Sequence, residues 1–200
     1  MKPFAAIGAG LVLVLCCVAP SEAAPTQWAA NGHYYEVVIA PGEISWDAAN
    51  AAAIAAGRHL VTITSPAEND FVFGLVDFPQ FWHAPTGGNK GPWIGAYQSP
   101  PTTVPSANWR WVTDEPWGYA NWGSGQPNDS GGNVEDKVYF YTPSPGLVRS
   151  PTWNDARGNS PNGNPVAYVT EWVPEPSSFA LLGTGAVGLL MFLWRKRGGR

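Results

Sequence analysis

An α+β fold is the reading this chain supports, on three observations. Two segments with recognisable helix start signals lie close together in the first part of the chain. Short runs of Tyr, Trp, Val and Ile, each long enough for one strand, flank them and recur to about Trp172. From Asp77 to Asn164 the sequence is rich in Gly, Pro, Asn and Ser, which marks a long irregular excursion between short apolar runs. No internal repeat is visible.

The elements follow in order. Tyr34-Tyr35-Glu36-Val37-Val38-Ile39 reads as a strand, being aromatic and β-branched. Ser45 caps a helix running through Trp46-Asp47-Ala48-Ala49 to Ala56, with Asp47 placed favourably in its first turn and Gly57 positioned to end it. His59 to Thr64 is a second strand. Ser65-Pro66-Ala67-Glu68 then spells a capping box with proline at the first helical position, opening a helix that carries Phe71, Val72 and Leu75. Later strands are expected at Trp93-Ile94-Gly95-Ala96, Trp109 to Val112, Lys137 to Tyr141 and Ala167 to Trp172.

Both ends carry targeting signals. Lys2, the apolar run Phe4 to Ala19 and the small residues around Ala23 form a secretory signal, so residues 1–23 are expected to be removed. The two cysteines, Cys16 and Cys17, lie inside it, and the mature chain has no thiol for a disulfide, a metal ligand or a nucleophile. At the other end Val173-Pro174-Glu175-Pro176 precedes sixteen uncharged, mostly apolar residues, Phe179 to Trp194, and a basic cluster, Arg195-Lys196-Arg197 with Arg200. A helix of that length is about 24 Å long against the roughly 30 Å hydrocarbon core, so it enters a membrane but spans it poorly, with its basic end on the cytoplasmic side. An ordinary single-pass anchor is the plain alternative.

What remains, residues 24–172, is long enough for one domain with a real core. Six basic and thirteen acidic residues fall in it, a net charge of −7 that argues against a nucleic-acid partner, because nothing would replace the phosphate counterions. Cations and neutral polar ligands suit such a surface better. Ten of the eleven tryptophans lie here as well, fit for a compact core or for stacking on ligands.

Two resemblances gather these features. Pro-Glu-Pro, a short apolar stretch and a basic tail resemble the PEP-CTERM sorting signal of Gram-negative bacteria, which implies export to the cell envelope, processing by an exosortase and a transient or retained inner-membrane anchor over residues 173–200. The order of a helix, Gly57-Arg58-His59-Leu60-Val61-Thr62-Ile63, a capped second helix, Trp93-Ile94-Gly95, Trp109-Arg110-Trp111, Asn121-Trp122, Gln126-Pro127-Asn128, Glu135-Asp136, Trp153-Asn154-Asp155 and Tyr168 to Trp172 resembles a C-type lectin-like domain. That resemblance implies two helices with small antiparallel sheets, first and last strands that pair, and a long loop holding a calcium-dependent sugar site. Half-cystines common in the family fall here at about Ala53, Lys137, Gly158 and Thr170, so the expected fold has no disulfides.

The resemblance assigns one Ca²⁺ to Gln126, Asn128, Glu135, Asn154 and Asp155, and sugar contacts to the first four of these. Ca²⁺ takes 6–8 oxygens, usually from carboxylates and amide carbonyls together, and these side chains supply both kinds. A cis Gln126-Pro127 bond, also implied, lets both amides point to one side of the loop. The Asp155 carbonyl offers one more oxygen, leaving room for two vicinal sugar hydroxyls. Taken singly, the same residues have plainer readings: Gln-Pro-Asn-Asp-Ser-Gly-Gly suits a solvated turn, and Trp-Asn-Asp a buried indole followed by an Asx turn. Gln126-Pro127-Asn128 is a hybrid of the Glu-Pro-Asn and Gln-Pro-Asp forms usual in calcium-binding members, so no sugar is assigned. Asp129 and Asp136 resemble contributors to an auxiliary calcium site, but Gln98 to Ser106 contains no acid to complete one.

Enzymatic chemistry is not expected. His33, His59 and His83 are isolated, no serine sits in a nucleophile elbow, and adjacent Glu135 and Asp136 on a strand would face opposite ways. The expected function is that of a secreted or surface lectin engaging envelope or exopolysaccharide sugars, as in a biofilm matrix, through Ca²⁺. The alternative is a metal-independent protein-binding or structural matrix module on the same fold.

Overall fold

The structure, a computed structural model, describes residues 24–83, 89–100, 102, 104–130, 132, 135–142, 148–160 and 163–174. The secretory signal and almost all of the sorting tail lie outside the described residues. Among those described, no helix is long and apolar enough to cross a membrane.

Eight strands and two α-helices are described. In chain order they are β1 (Thr26–Gln27), β2 (Tyr34–Ile39), α1 (Trp46–Ala55), β3 (His59–Leu60), α2 (Pro66–Val76), β4 (Asn89–Gln98), β5 (Trp109–Trp111), β6 (Lys137–Thr142), β7 (Trp153–Ala156) and β8 (Ala167–Trp172). A turn of 3-10 helix, Pro79–Phe81, follows α2. The expected small antiparallel sheets are joined into one network, ordered β1-β2-β8-β4-β6-β7, with β3 on β8 and β5 on β4. One parallel bridge, Trp93 with Tyr168, makes it mixed. First and last strands pair as expected: β2 runs antiparallel to β8 over its whole length, from Tyr34 opposite Trp172 to Ile39 opposite Ala167.

Alternation along the strands explains the core. On β8, Ala167 and Val169 join one buried cluster and Tyr168 another; on β6, Val138 and Phe140 join the first and Tyr139 the second. Successive side chains of a strand point to opposite faces, so the central strands are buried on both. α2 covers one face with Val72 and Val76. α1 covers the other with Trp46, Ala49 and Ala53. Five tryptophans, Trp46, Trp93, Trp109, Trp111 and Trp153, are buried in these clusters.

The helix caps act nearly as the sequence implies. Ser45 Oγ accepts from Ala48 N at 3.3 Å and Ser65 Oγ from Glu68 N at 3.2 Å, while Gly57 takes a left-handed φ of +71° just past α1. The capping box closes differently, because Glu68 Oε2 accepts from Thr64 N and Thr64 Oγ1 at 2.8 and 2.9 Å instead of reaching back to Ser65 N. The second strand is shorter than expected for a related reason. Val61 splits its backbone bonds between two strands, donating to Val169 O and accepting from Gly95 N. Thr62 N then donates to the buried carboxylate of Glu171 at 3.0 Å. Side chains from elsewhere in the fold thus satisfy a segment that a neighbouring strand would otherwise pair.

Packing fills the places of the missing bridges. Ala53 and Thr170 are buried. A Cβ added at Gly158 would stand 3.2 Å from Lys137 Cγ, so these two positions are near neighbours.

Where β4 crosses the end of β3 the approach is closest at Gly95. A Cβ there would meet the carbonyl oxygens of Leu60 at 2.6 Å and Val61 at 2.9 Å, both backbone atoms that cannot swing aside. Gly95→Ala is therefore expected to destabilise the fold by about 1–3 kcal/mol, the usual range for overpacking. For a domain of this size that is a fall in melting temperature of roughly 2–4 °C per kcal/mol. An unchanged melting curve would contradict the close approach.

Candidate functional site

The five residues singled out in the sequence lie on one loop and one strand. Gln126-Pro127-Asn128 sits in the excursion between β5 and β6, and its Gln126-Pro127 peptide is cis. Asn154 and Asp155 belong to β7, where the sequence suggested only a motif and no strand; β7 forms by pairing with β6, Asn154 opposite Tyr139 and Asp155 opposite Val138. Two backbone bonds fasten the loop to the start of this strand. Gly123 N donates to Trp153 O at 2.8 Å, and Trp153 N to Asn121 O at 2.8 Å.

Asp155 organises the next stretch. Its carboxylate is fully buried and accepts from Asn128 N at 3.0 and 3.1 Å and from Asp129 N at 2.7 Å. Asp129 makes this turn in a left-handed conformation, φ +45°, tolerable for Asp because its short side chain bonds locally. Its Oδ1 accepts from Glu135 N at 3.3 Å. Ser130 then gathers two of the candidate ligands. Ser130 N donates to Asn128 Oδ1 at 2.9 Å and to Glu135 Oε2 at 2.8 Å, and Ser130 Oγ lies 3.0 Å from both Glu135 oxygens.

Asn128, Glu135 and Asp155 are thereby joined through Asp129 and Ser130. The Asn128 contact to Ser130 N is an Asx turn, so this residue has the structural role that its plainer reading allows. Ser130 was not singled out from the sequence, since its role depends on where the loop backbone places it. Asn154 meets that net only at the Asp155 backbone. Its Nδ2 donates to Asp155 O at 2.5 Å and to the Tyr139 hydroxyl at 3.2 Å. Asp136 turns away, its carboxylate 2.6 Å from Lys137 Nζ.

Four buried side-chain polar atoms lack a hydrogen-bond partner among the described residues, and two of them are Gln126 Oε1 and Asn154 Oδ1. An unpaired buried acceptor costs about 1–3 kcal/mol. Both are amide oxygens, hard donors of the kind Ca²⁺ accepts; Gln126 lies on the loop and Asn154 directly precedes Asp155 on β7. The donor set thus fits a calcium ion in chemistry. No group of three or more His, Cys, Asp or Glu side chains is placed to hold a metal among the described residues, so any such ion would depend on the amides.

Electrostatics point the same way. Burial pushes the Glu135 carboxyl above its ordinary range; the Ser130 hydrogen bonds oppose this, and the charges of Asp155 and Asp129 add to it. Burial likewise raises Asp155, against the Asn128 and Asp129 N–H bonds that hold it ionised, with Asp129 raising it further. Glu135, Asp155 and Asp129 thus repel one another in a partly desolvated stretch, and a divalent ion held there would relieve that repulsion.

This architecture has known counterparts. The mouse scavenger receptor C-type lectin carbohydrate-recognition domain superposes with a TM-score of 0.52 at 18% identity, covering 76% of this chain and 94% of that one. A calcium-independent type II antifreeze protein superposes equally well, with a TM-score of 0.52 at 20% identity over 78% of this chain and 95% of its own. The chain has the C-type lectin-like fold. In sequence it is 31% identical over 108 residues to Ladderlectin of Oncorhynchus mykiss, a match covering 54% of this chain and 51% of that protein, so the chain spans about half the length of the curated relative it matches. Residues 173–197 match the PEP-CTERM protein-sorting motif. A lectin-like fold followed by a sorting motif is the organisation of this protein.

Proposed function

We propose that this chain is an exported, surface-associated carbohydrate-binding protein, and not an enzyme, whose loop holds one Ca²⁺ on Gln126, Asn128, Glu135, Asn154 and Asp155. The reading rests chiefly on the buried amide oxygens of Gln126 and Asn154, which have no hydrogen-bond partner among the described residues. Bound there, the ion would supply open coordination positions to two vicinal hydroxyls of a sugar. Gln126, Asn128, Glu135 and Asn154 orient those hydroxyls through their remaining lone pairs and amide protons. With two ligating carboxylates the expected affinity is modest, about 10⁻⁴–10⁻³ M, as in extracellular modules. Envelope or exopolysaccharide is the expected ligand, since the sorting motif directs the chain outward. Processing by an exosortase, and anchoring in the inner membrane of a Gram-negative cell until then, complete the proposal.

Melting curves and a glycan array, each with calcium and with EDTA, test it. At 10–100 times Kd, bound calcium is expected to stabilise the fold by about 1.4–2.7 kcal/mol, and chelation to lower the melting temperature and remove glycan binding together. Identical curves and identical arrays in both buffers would instead favour the metal-independent matrix module. That second reading draws on one observation, that Glu135 and Asp155 are already hydrogen-bonded by the loop's own backbone.

Protons should compete with the ion. Both carboxyls have raised pKa values in the metal-free fold, so as pH falls through them, from above the ordinary carboxylate range, the metal-free fold gains stability relative to the unfolded chain. Calcium requires both ionised and loses affinity over the same window. The calcium-induced gain in melting temperature is thus expected to shrink as pH falls, beginning above the ordinary carboxylate range. A gain that stays constant down to the ordinary carboxylate range would remove these two residues from the ligand set.

A further inference from the structure

A second candidate site is built without the loop donors. Between α1 and the strands it covers is a cleft of about 380 Å³, and none of the five candidate calcium ligands lines it. Asp47, Asn50 and Ile54 form its α1 wall, with Tyr97 of β4, Val112 just past β5 and Lys137 at the start of β6 opposite them. The spacing of 47, 50 and 54 places those three on one helix face.

Two features of the wall are unexplained by folding. Asn50 Oδ1 is buried and has no hydrogen-bond partner among the described residues. Ile54 is 63% exposed, on a helix whose other apolar residues are mostly small alanines. Lys137 brings little free charge, because its ammonium is held 2.6 Å from Asp136 and lies 5.1 Å from the centroid of the Trp46 ring. The cleft thus combines polar groups, the Asn50 amide, the Asp47 carboxylate and the His59 ring, with apolar surface from Trp46, Ile54, Val112 and the Tyr97 ring.

We propose that this cleft binds a neutral sugar ring without a metal, its hydroxyl edge donating to Asn50 and Asp47 and its C–H face lying on Ile54, Val112 and Tyr97. A neutral hydroxyl satisfies a buried amide oxygen without stripping water from a charge, which an ammonium would have to lose against the apolar surface. An anion would meet Asp47. The volume lies within the range usual for small-ligand pockets. The choice of ligand class rests on the reading of the chain as a glycan binder, but the residues are different ones. Two contacts on one chain would also strengthen attachment to a polymer by raising the effective concentration of the second.

The test titrates the purified full chain with maltose, cellobiose and lactose in excess EDTA, following amide chemical shifts. At least one disaccharide is expected to bind saturably, and Asn50→Leu or Ile54→Glu to weaken it about tenfold. Because Ile54 is exposed, its variant is expected to fold, and both variants should keep the calcium-induced gain in melting temperature. Absence of saturable binding in EDTA, or binding that survives both substitutions, overturns the cleft proposal. Such a result leaves the calcium site to stand or fall on its own melting curves.

Discussion

Asp155→Ala is expected to abolish the response to calcium and to destabilise the metal-free fold as well. The carboxylate is fully buried and accepts from two backbone N–H groups of the loop, so its removal leaves both without acceptors. At about 1–3 kcal/mol for each unsatisfied donor, the cost in stability is of order 2–6 kcal/mol, less whatever water recovers by entering. Asp155→Asn separates the two effects. It retains one acceptor oxygen and nearly the same volume, so it should recover much of the stability while lacking the charge that calcium requires. Melting temperature with and without calcium, and glycan binding by the folded Asn variant, make the measurement. A full calcium-induced gain in the Asn variant would show that the ion, if bound, is held elsewhere.

Trp153→Ala is expected to cost about 3–5 kcal/mol, the range for emptying a large aromatic site. Trp153 has no exposed surface and its ring meets Trp111, Tyr119 and Trp122 edge-on at centroid distances of 5.9, 5.6 and 6.0 Å. Its Nε1 donates to Asn69 Oδ1 at 2.9 Å, tying β7 to α2. Its backbone accepts from Gly123 N and donates to Asn121 O, tying β7 to the long loop. Because Asn154 and Asp155 follow directly, loosening this residue should weaken calcium binding as well. Trp153→Phe should cost less, its main loss being the bond to buried Asn69. Chemical denaturation reads the stability, and equal stability for Ala and wild type would show that the aromatic cluster does not carry the fold.

The readable parts of this fold are those whose cause is local. Ser45 and Ser65 announce helices because a cap bonds within three residues, and β8 is visible in Ala167 to Trp172 because its own side chains suit a strand. β7 was hidden because Trp-Asn-Asp has no strand character of its own; pairing with β6 supplies it. β3 was overestimated because the acceptor for Thr62 N belongs to Glu171, which lies 109 residues further along the chain. β1, only Thr26 and Gln27, is too short to leave a pattern. The candidate site divides the same way. Its amides and acids stand out as a known order of motifs, whereas Ser130, which holds Asn128 and Glu135 together, becomes visible only once the loop has its shape.

The position of β8 has a mechanical consequence. It is the strand from which the C-terminal segment leaves, and it is gripped by β2, β3 and β4 together. A pull transmitted from an anchored tail would run along the axis of this strand. It would load the whole β2 ladder in shear at once, instead of peeling its bonds apart one after another. A domain held by that end would resist such a load better than one held by an edge strand.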